Sequence, residues 1–101
     1  MAYNVIAESA RPLNFDDIHR NCFTSDMSVE LFPMPQLGID GGDAVGICVP
    51  FKNANEKTWL ELKRILKLLK STFQCDVYDL YSGEKLGMFN IGSFRKSLLT
   101  K

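Results

Sequence analysis

The sequence holds a single histidine, and none of its apolar runs approaches the roughly 18 residues needed to cross a bilayer. Histidine is the commonest metal ligand and the side chain whose ordinary titration falls nearest neutral pH, so its scarcity removes most metal-centred and general-base arrangements. The opening stretch MAYNVIAESARPLNF lacks the basic segment and long apolar run of a secretory leader. The three cysteines, Cys22, Cys48 and Cys75, are odd in number and lie 26 and 27 residues apart, with no Cys-x-x-Cys pair among them. Neither a disulfide framework nor a zinc knuckle is written in that spacing. These absences predict a reduced, cytoplasmic protein with no cofactor, no metal site and no membrane segment.

What is present is ordinary globular material. The 101 residues are 46% hydrophobic with a formal net charge of zero, far from the polar, charged composition of disordered chains. A chain of this length supports one core, and a single domain over 1–101 is expected. The neutral total conceals an asymmetry. Residues 1–50 carry seven acids and two bases, residues 51–101 five acids and ten bases, so the halves differ in sign, at minus five and plus five. Such halves steer oppositely charged partners if they fold into separate faces, and cancel if they interleave.

The stretch AYNVIAES is short and β-favouring, and it stops before Pro12, which cannot donate to a ladder, predicting a first strand over about residues 3–8. Asn14 can cap a helix that places Phe15, Ile18 and Cys22 on one side and Asp16 and Asp17 in its first turn. In SVELFPMP, Val29 and Leu31 alternate with Glu30, while Pro33 and Pro35 restrict pairing, predicting an edge strand. DGGD reads as a hairpin turn. It leads into a strand with Val45, Ile47, Val49 and Phe51 on one side and Ala44, Gly46 and Cys48 on the other, both apolar or small, as a central strand requires. The clearest element is NANEKTWLELKRILKLLKSTF: Trp59, Leu62, Ile65, Leu66, Leu69 and Phe73 recur at spacings of three and four, Asn53 or Asn55 can cap, and no Gly or Pro interrupts. CDVYDLY then reads as a strand, SGE as a turn, KLGM as a short return strand, and the tail as a turn or two of helix using Phe94, Leu98 and Leu99. The order β-α-β-β-α-β most economically makes an antiparallel α+β sheet of ferredoxin-like type, with two helices on one face and a short C-terminal extension.

Candidate chemistry is sparse. Asp16, His19 and Cys22 neighbour one another at helical spacing, so a Cys-His-Asp nucleophile or a metal half-site is conceivable there. Productive triads, however, are assembled from separate elements around an oxyanion-stabilising loop, and none is evident, which favours a surface histidine beside a core cysteine. The glycines of GIDGGDAVG precede a strand rather than a helix, and no Gly-Lys-Ser/Thr follows, so they read as turn glycines and not as a phosphate cradle. Lys63, Arg64, Lys67 and Lys70 form a basic stripe opposite the apolar side of the second helix, fit for phosphate or an acidic protein patch, or simply for solvent near a helix C-terminus. Sheets that read RNA stack bases on aromatics at the centres of their middle strands. YNVIAES and DAVGICVPF have none there, which weighs against nucleic acid.

The stretch TFQCDVYDLYSGEKLG, residues 72–87, concentrates one cysteine, two aspartates and two tyrosines at a strand end. Cys75, Val77 and Leu80 or Tyr81 are expected to face inward, with Asp76, Tyr78 and Asp79 facing out or closing the strand. Asp79 is placed to receive turn N–H groups at Ser82 and Gly83. Asp76 and Asp79 should point to opposite faces, which argues against an acid–base dyad. Asp76, Tyr78, Asp79 and Tyr81 make a credible protein-contact patch, since tyrosine offers large contact area at low entropic cost.

A long helix followed by CDVYDLYSGEKL resembles the closing pattern of small bacterial α+β proteins, some of them toxin-immunity proteins, in which a strand ends in Tyr-Asp and leads into a Ser/Thr-Gly-Glu turn. Leu80 and Tyr81 stand where a Pro-polar pair is more usual. The resemblance implies a non-enzymatic protein that occludes a partner, and it carries over no catalytic residue. The leading expectation is therefore a small module that binds another protein through charged faces and aromatics near the sheet end. The alternatives are a small-ligand protein or enzyme on the open sheet face, using Cys48 or Cys75 with Tyr78 or Asp79, and nucleic-acid binding through Lys63, Arg64, Lys67 and Lys70. An open sheet edge also offers a route to a homodimer.

Overall fold

A computed structural model describes residues 2–22, 29–80, 82–87 and 91–99. Four strands, β1 (Ala2–Glu8), β2 (Glu30–Met34), β3 (Ala44–Pro50) and β4 (Asp76–Asp79), form one sheet in the order β2-β3-β1-β4, with every neighbouring pair antiparallel. Three helices complete an α+β architecture: α1 (Phe15–Cys22), α2 (Glu56–Ser71) and α3 (Ile91–Leu99).

The register decides which side of the sheet each residue occupies, because directly opposed residues in an antiparallel pair share a face. Val5 pairs with Ile47 and Asp79, and Leu31 pairs with Ile47, so the odd-numbered residues of all four strands point one way. Tyr3, Val5 and Ala7 of β1, Val45, Ile47 and Val49 of β3 and Val77 of β4 are buried there in one cluster with side chains from all three helices. The helices therefore cover a single face.

α2 seals that face because its periodicity demands it. Trp59, Leu62, Ile65, Leu66 and Leu69 are buried, each full burial of such a side chain contributing about 1.5–3 kcal/mol. The Asn55 side chain caps the helix by accepting the Thr58 N–H at 3.0 Å. α1 begins in the same manner, with Asn14 accepting the Asp17 N–H at 3.1 Å, and buries Ile18 and Cys22. α3 is a helix of nine residues, about two and a half turns, slightly longer than the turn or two expected. Phe94 from α3 meets Tyr3 edge-on at a centroid distance of 5.7 Å, Phe51 meets Tyr3 at 5.7 Å, and Trp59 lies 6.2 Å from Phe94. This aromatic group closes one end of the core, each contact adding about 0.5–1.5 kcal/mol beyond burial. Phe51 reaches it from a single 3-10 turn, Phe51–Asn53, and not as a continuation of β3.

The other sheet end departs from the simple hairpin that DGGD suggests. β2 and β3 are joined by residues 35–43, which contain a 3-10 turn at Ile39–Gly41 with Asp40 and Gly41 at φ of 50° and 84°. This connection is tied to the loop after β1. Ser9 N–H donates to the Asp43 carbonyl at 2.9 Å, Ile39 N–H to the Ser9 carbonyl at 2.9 Å and Asp43 N–H to the Arg11 carbonyl at 3.1 Å. Gly42 lies so close that a Cβ there would stand 2.1 Å from the Ser9 carbonyl oxygen. Local turn chemistry could not reveal a closure made with partners about thirty residues away.

Candidate functional site

Covering one side of the sheet leaves the other uncovered by any described element. Its residues follow from the register as three rows. Phe32, Gly46, Ile6 and Tyr78 stand in line across the middle, flanked on one side by Glu30, Cys48 and Asn4 and on the other by Met34, Ala44, Glu8 and Asp76. Leu80, just beyond β4, is brought alongside Asn4 by a bond from its N–H to the Asn4 carbonyl at 3.1 Å. The middle of this face is apolar. Phe32 is 50% exposed and Leu80 56%, while Ile6 is reduced to 9% by the neighbours around it. Gly46 matters to the shape: a Cβ there would press on the Met34 sulfur at 3.1 Å. Its bare backbone floors a shallow depression of about 320 Å³ lined by Ile6, Phe32, Met34, Cys48 and Leu80.

The side-chain charges that the described strand residues place on this face have one sign. Glu30 lies at one end, and Glu8 and Asp76 at the other. The nearby cation is Lys85, which pairs with Asp76 at 3.1 Å across an isolated bridge between Tyr78 and Lys85. Among the described residues the expected return strand appears as that bridge, with the Leu86 N–H donating to the Val77 carbonyl at 2.8 Å and the Asp79 N–H to the Glu84 carbonyl at 2.9 Å, and it covers the outer edge of β4, while Met88 lies outside the described residues. The β2 edge carries Pro33, which has no N–H to offer.

The expected contact residues separate. Asp76 and Tyr78 lie on the open face, both half-buried, and Tyr81 lies outside the described residues. Asp79 does not face out: it shares the core side with Val5 and is 7% exposed. Its carboxylate accepts the Ser82 hydroxyl at 3.1 Å, and its backbone carbonyl accepts the Gly83 N–H at 2.7 Å, with Gly83 at a φ of 76° that suits glycine. Of Leu80 or Tyr81, either of which could face inward, Leu80 is outside. Both placements follow the strand's unbroken alternation: with Val77 inside, period two carries Asp79 in and Leu80 out.

The basic stripe divides as well. Arg64 donates from both terminal nitrogens to α1, at 3.2 Å to the Asn21 carbonyl and 2.7 Å to the Cys22 carbonyl, satisfying groups that a helix C-terminus leaves unpaired. Lys70 donates to the Leu86 carbonyl at 2.9 Å. Lys63 and Lys67 remain as exposed cations on the side of α2 that faces away from the sheet.

None of the three thiols is set up as a nucleophile. Burial pushes Cys75 up to about 11, with Asp76 adding to the shift. Burial also raises Cys22, against an opposing pull from Arg64, and raises Cys48, with Glu30 adding. A reactive cysteine needs the opposite shift. Cys22 and Cys75 sit in the core whereas Cys48 lies on the open face, so the three do not converge. His19 is exposed on α1 while Cys22 is wholly buried, which separates the members of the conceivable triad. His19 instead borders a crevice of about 200 Å³ between α1 and β2, with Phe15, Asp16 and Phe32. Among the described residues, no group of three His, Cys, Asp or Glu side chains is placed to share a metal ion, and no helix is long and apolar enough to cross a membrane.

Phe32, Ile6, Met34 and Leu80 were not marked by sequence reasoning as contact residues. For Phe32 the signal existed: if Leu31 faces the core, period two sends Glu30 and Phe32 to the other face. Comparison with family models, curated proteins and solved structures returns no match to this chain.

Proposed function

We propose that this protein is a small non-enzymatic module that works by binding another protein, and that its uncovered sheet face is the binding surface. The observation that carries this reading is the exposure of Phe32 and Leu80 on a face whose middle row is apolar, while the other face is fully used by the core. Exposed aromatic and aliphatic side chains around a desolvated centre, here Ile6, have the anatomy of a protein interface. The raised thiols give an enzymatic use of Cys48 or Cys75 no support. The antiparallel order β2-β3-β1-β4 with helices on one face supports a ferredoxin-like scaffold, in which the free side of the sheet is available for contact. The resemblance of residues 72–87 to immunity-type proteins supports action by occlusion, in a cytoplasmic setting.

The test is retention. Immobilised wild-type protein should hold a partner from an extract of the source cells, and Phe32→Glu with Leu80→Glu should release it while leaving circular dichroism and thermal midpoint unchanged. A partner held equally by both would place binding elsewhere. One lost only with Lys63→Glu and Lys67→Glu would transfer the surface to α2.

A further inference from the structure

We infer that the partner segment seated on the open sheet face is apolar at its centre and cationic at its flanks. This rests on the reading of that face as a protein-binding surface and adds the chemistry of what it binds. The apolar row from Phe32 across Gly46 and Ile6 to Tyr78 is flanked by Glu30 on one side and by Glu8 and Asp76 on the other, so carboxylates stand on both sides of it. Of these three carboxylates, Asp76 is paired with Lys85. Lys63 and Lys67 lie on the far side of the molecule, beyond the core, and do not offset this field.

Charge of one sign selects among occupants. Nucleic acid and anionic lipid both present phosphates, which these carboxylates repel. A second copy placed face to face would set Glu8, Glu30 and Asp76 against the same residues, a juxtaposition that disfavours self-association. Pairing through the β2 edge meets Pro33, which blunts strand addition. A small molecule would find a shallow depression with few polar groups to orient it: Asn4 is the one polar side chain among residues dominated by Ile6, Phe32, Met34 and Leu80. A protein segment with Leu-, Ile- or Phe-type side chains over the depression and Lys or Arg at its ends satisfies both features, and the flanking charges would fix its position and speed encounter.

Selection from a random library of peptides about 16 residues long tests this directly. Wild-type protein should enrich peptides with an apolar middle and basic ends, binding about tenfold or more weakly when salt is raised to about 0.5 M. Phe32→Glu with Leu80→Glu should abolish enrichment, and Glu8→Lys with Glu30→Lys should shift it toward acidic ends. Enrichment of acidic or uncharged peptides, or indifference to the Glu8 and Glu30 exchange, overturns the inference. No enrichment while Phe32-dependent capture of a protein persists overturns the inference and leaves the broader proposal standing; loss of both overturns both. Sedimentation as a dimer that Phe32→Glu dissociates would make a second copy the occupant and contradict the inference.

Discussion

The Asp43 carboxylate accepts the Leu13 backbone N–H at 2.8 Å, joining the connection between β2 and β3 to the loop that leads into α1. Its second oxygen takes the Gln36 N–H at 2.9 Å. One side chain thus fixes both loops at the same end of the sheet, and the two backbone donors hold its pKa below the usual carboxylate value, Gln36 contributing most.

The pH consequence follows in sign. A carboxyl whose folded pKa lies below its unfolded value contributes stability that is present above the unfolded value, near pH 4, and lost as pH falls through the folded one. Wild-type protein should therefore melt higher than Asp43→Asn at pH 7, and thermal melts of the two should draw together below about pH 4. A constant gap down to pH 2 would show that Asp43 does not act through its charge.

Arg64→Met removes two donors from the end of α1 while keeping the aliphatic stem. A loss of about 1–2 kcal/mol is expected in urea denaturation, whereas Lys63→Met, on the same stripe, should stay within about 0.5 kcal/mol of wild type. Equal effects would return the stripe to the undivided surface that the sequence suggests.

Gly42→Ala drives a Cβ into the Ser9 carbonyl region at 2.1 Å, a backbone contact that cannot rotate away. A loss above about 2 kcal/mol is expected, while Gly87→Ala, with nothing within 4 Å of the added carbon, should be neutral. Paired denaturation curves decide this.

In native protein at pH 7.5, alkylation should modify Cys48 first, since it is the one thiol not buried, and Cys22 and Cys75 only as the protein unfolds. Peptide mapping after timed iodoacetamide treatment reads the order. Rapid modification of Cys75 would contradict both its burial and its raised pKa.

The contrast between what was legible and what was not has a physical basis. Caps and amphipathic spacing are local, so Asn14, Asn55 and the buried stripe of α2 could be read from their neighbours in the chain. The two-sided apolar pattern of residues 44–50 marked β3 as central, which its pairing with both β1 and β2 matches. The knot of Ser9 and Asp43 was hidden because its partners are brought together only by the sheet. Arg64 and Lys70 looked like solvent-facing cations until α1 and residue 86 supplied carbonyls within reach. Residue polarity suggests Asp79 facing out or closing the strand and Leu80 or Tyr81 facing in, whereas the alternation that buries Val77 carries Asp79 in, where Ser82 supplies its carboxylate with a donor, and Leu80 out.

The claim that the uncovered sheet face is the working surface is tested most directly by amide chemical-shift mapping of labelled protein titrated with its captured partner. Shifts should concentrate at Asn4, Ile6, Phe32, Gly46, Cys48 and Leu80. Shifts confined to α2 around Lys63 and Lys67, with those six unmoved, would contradict it.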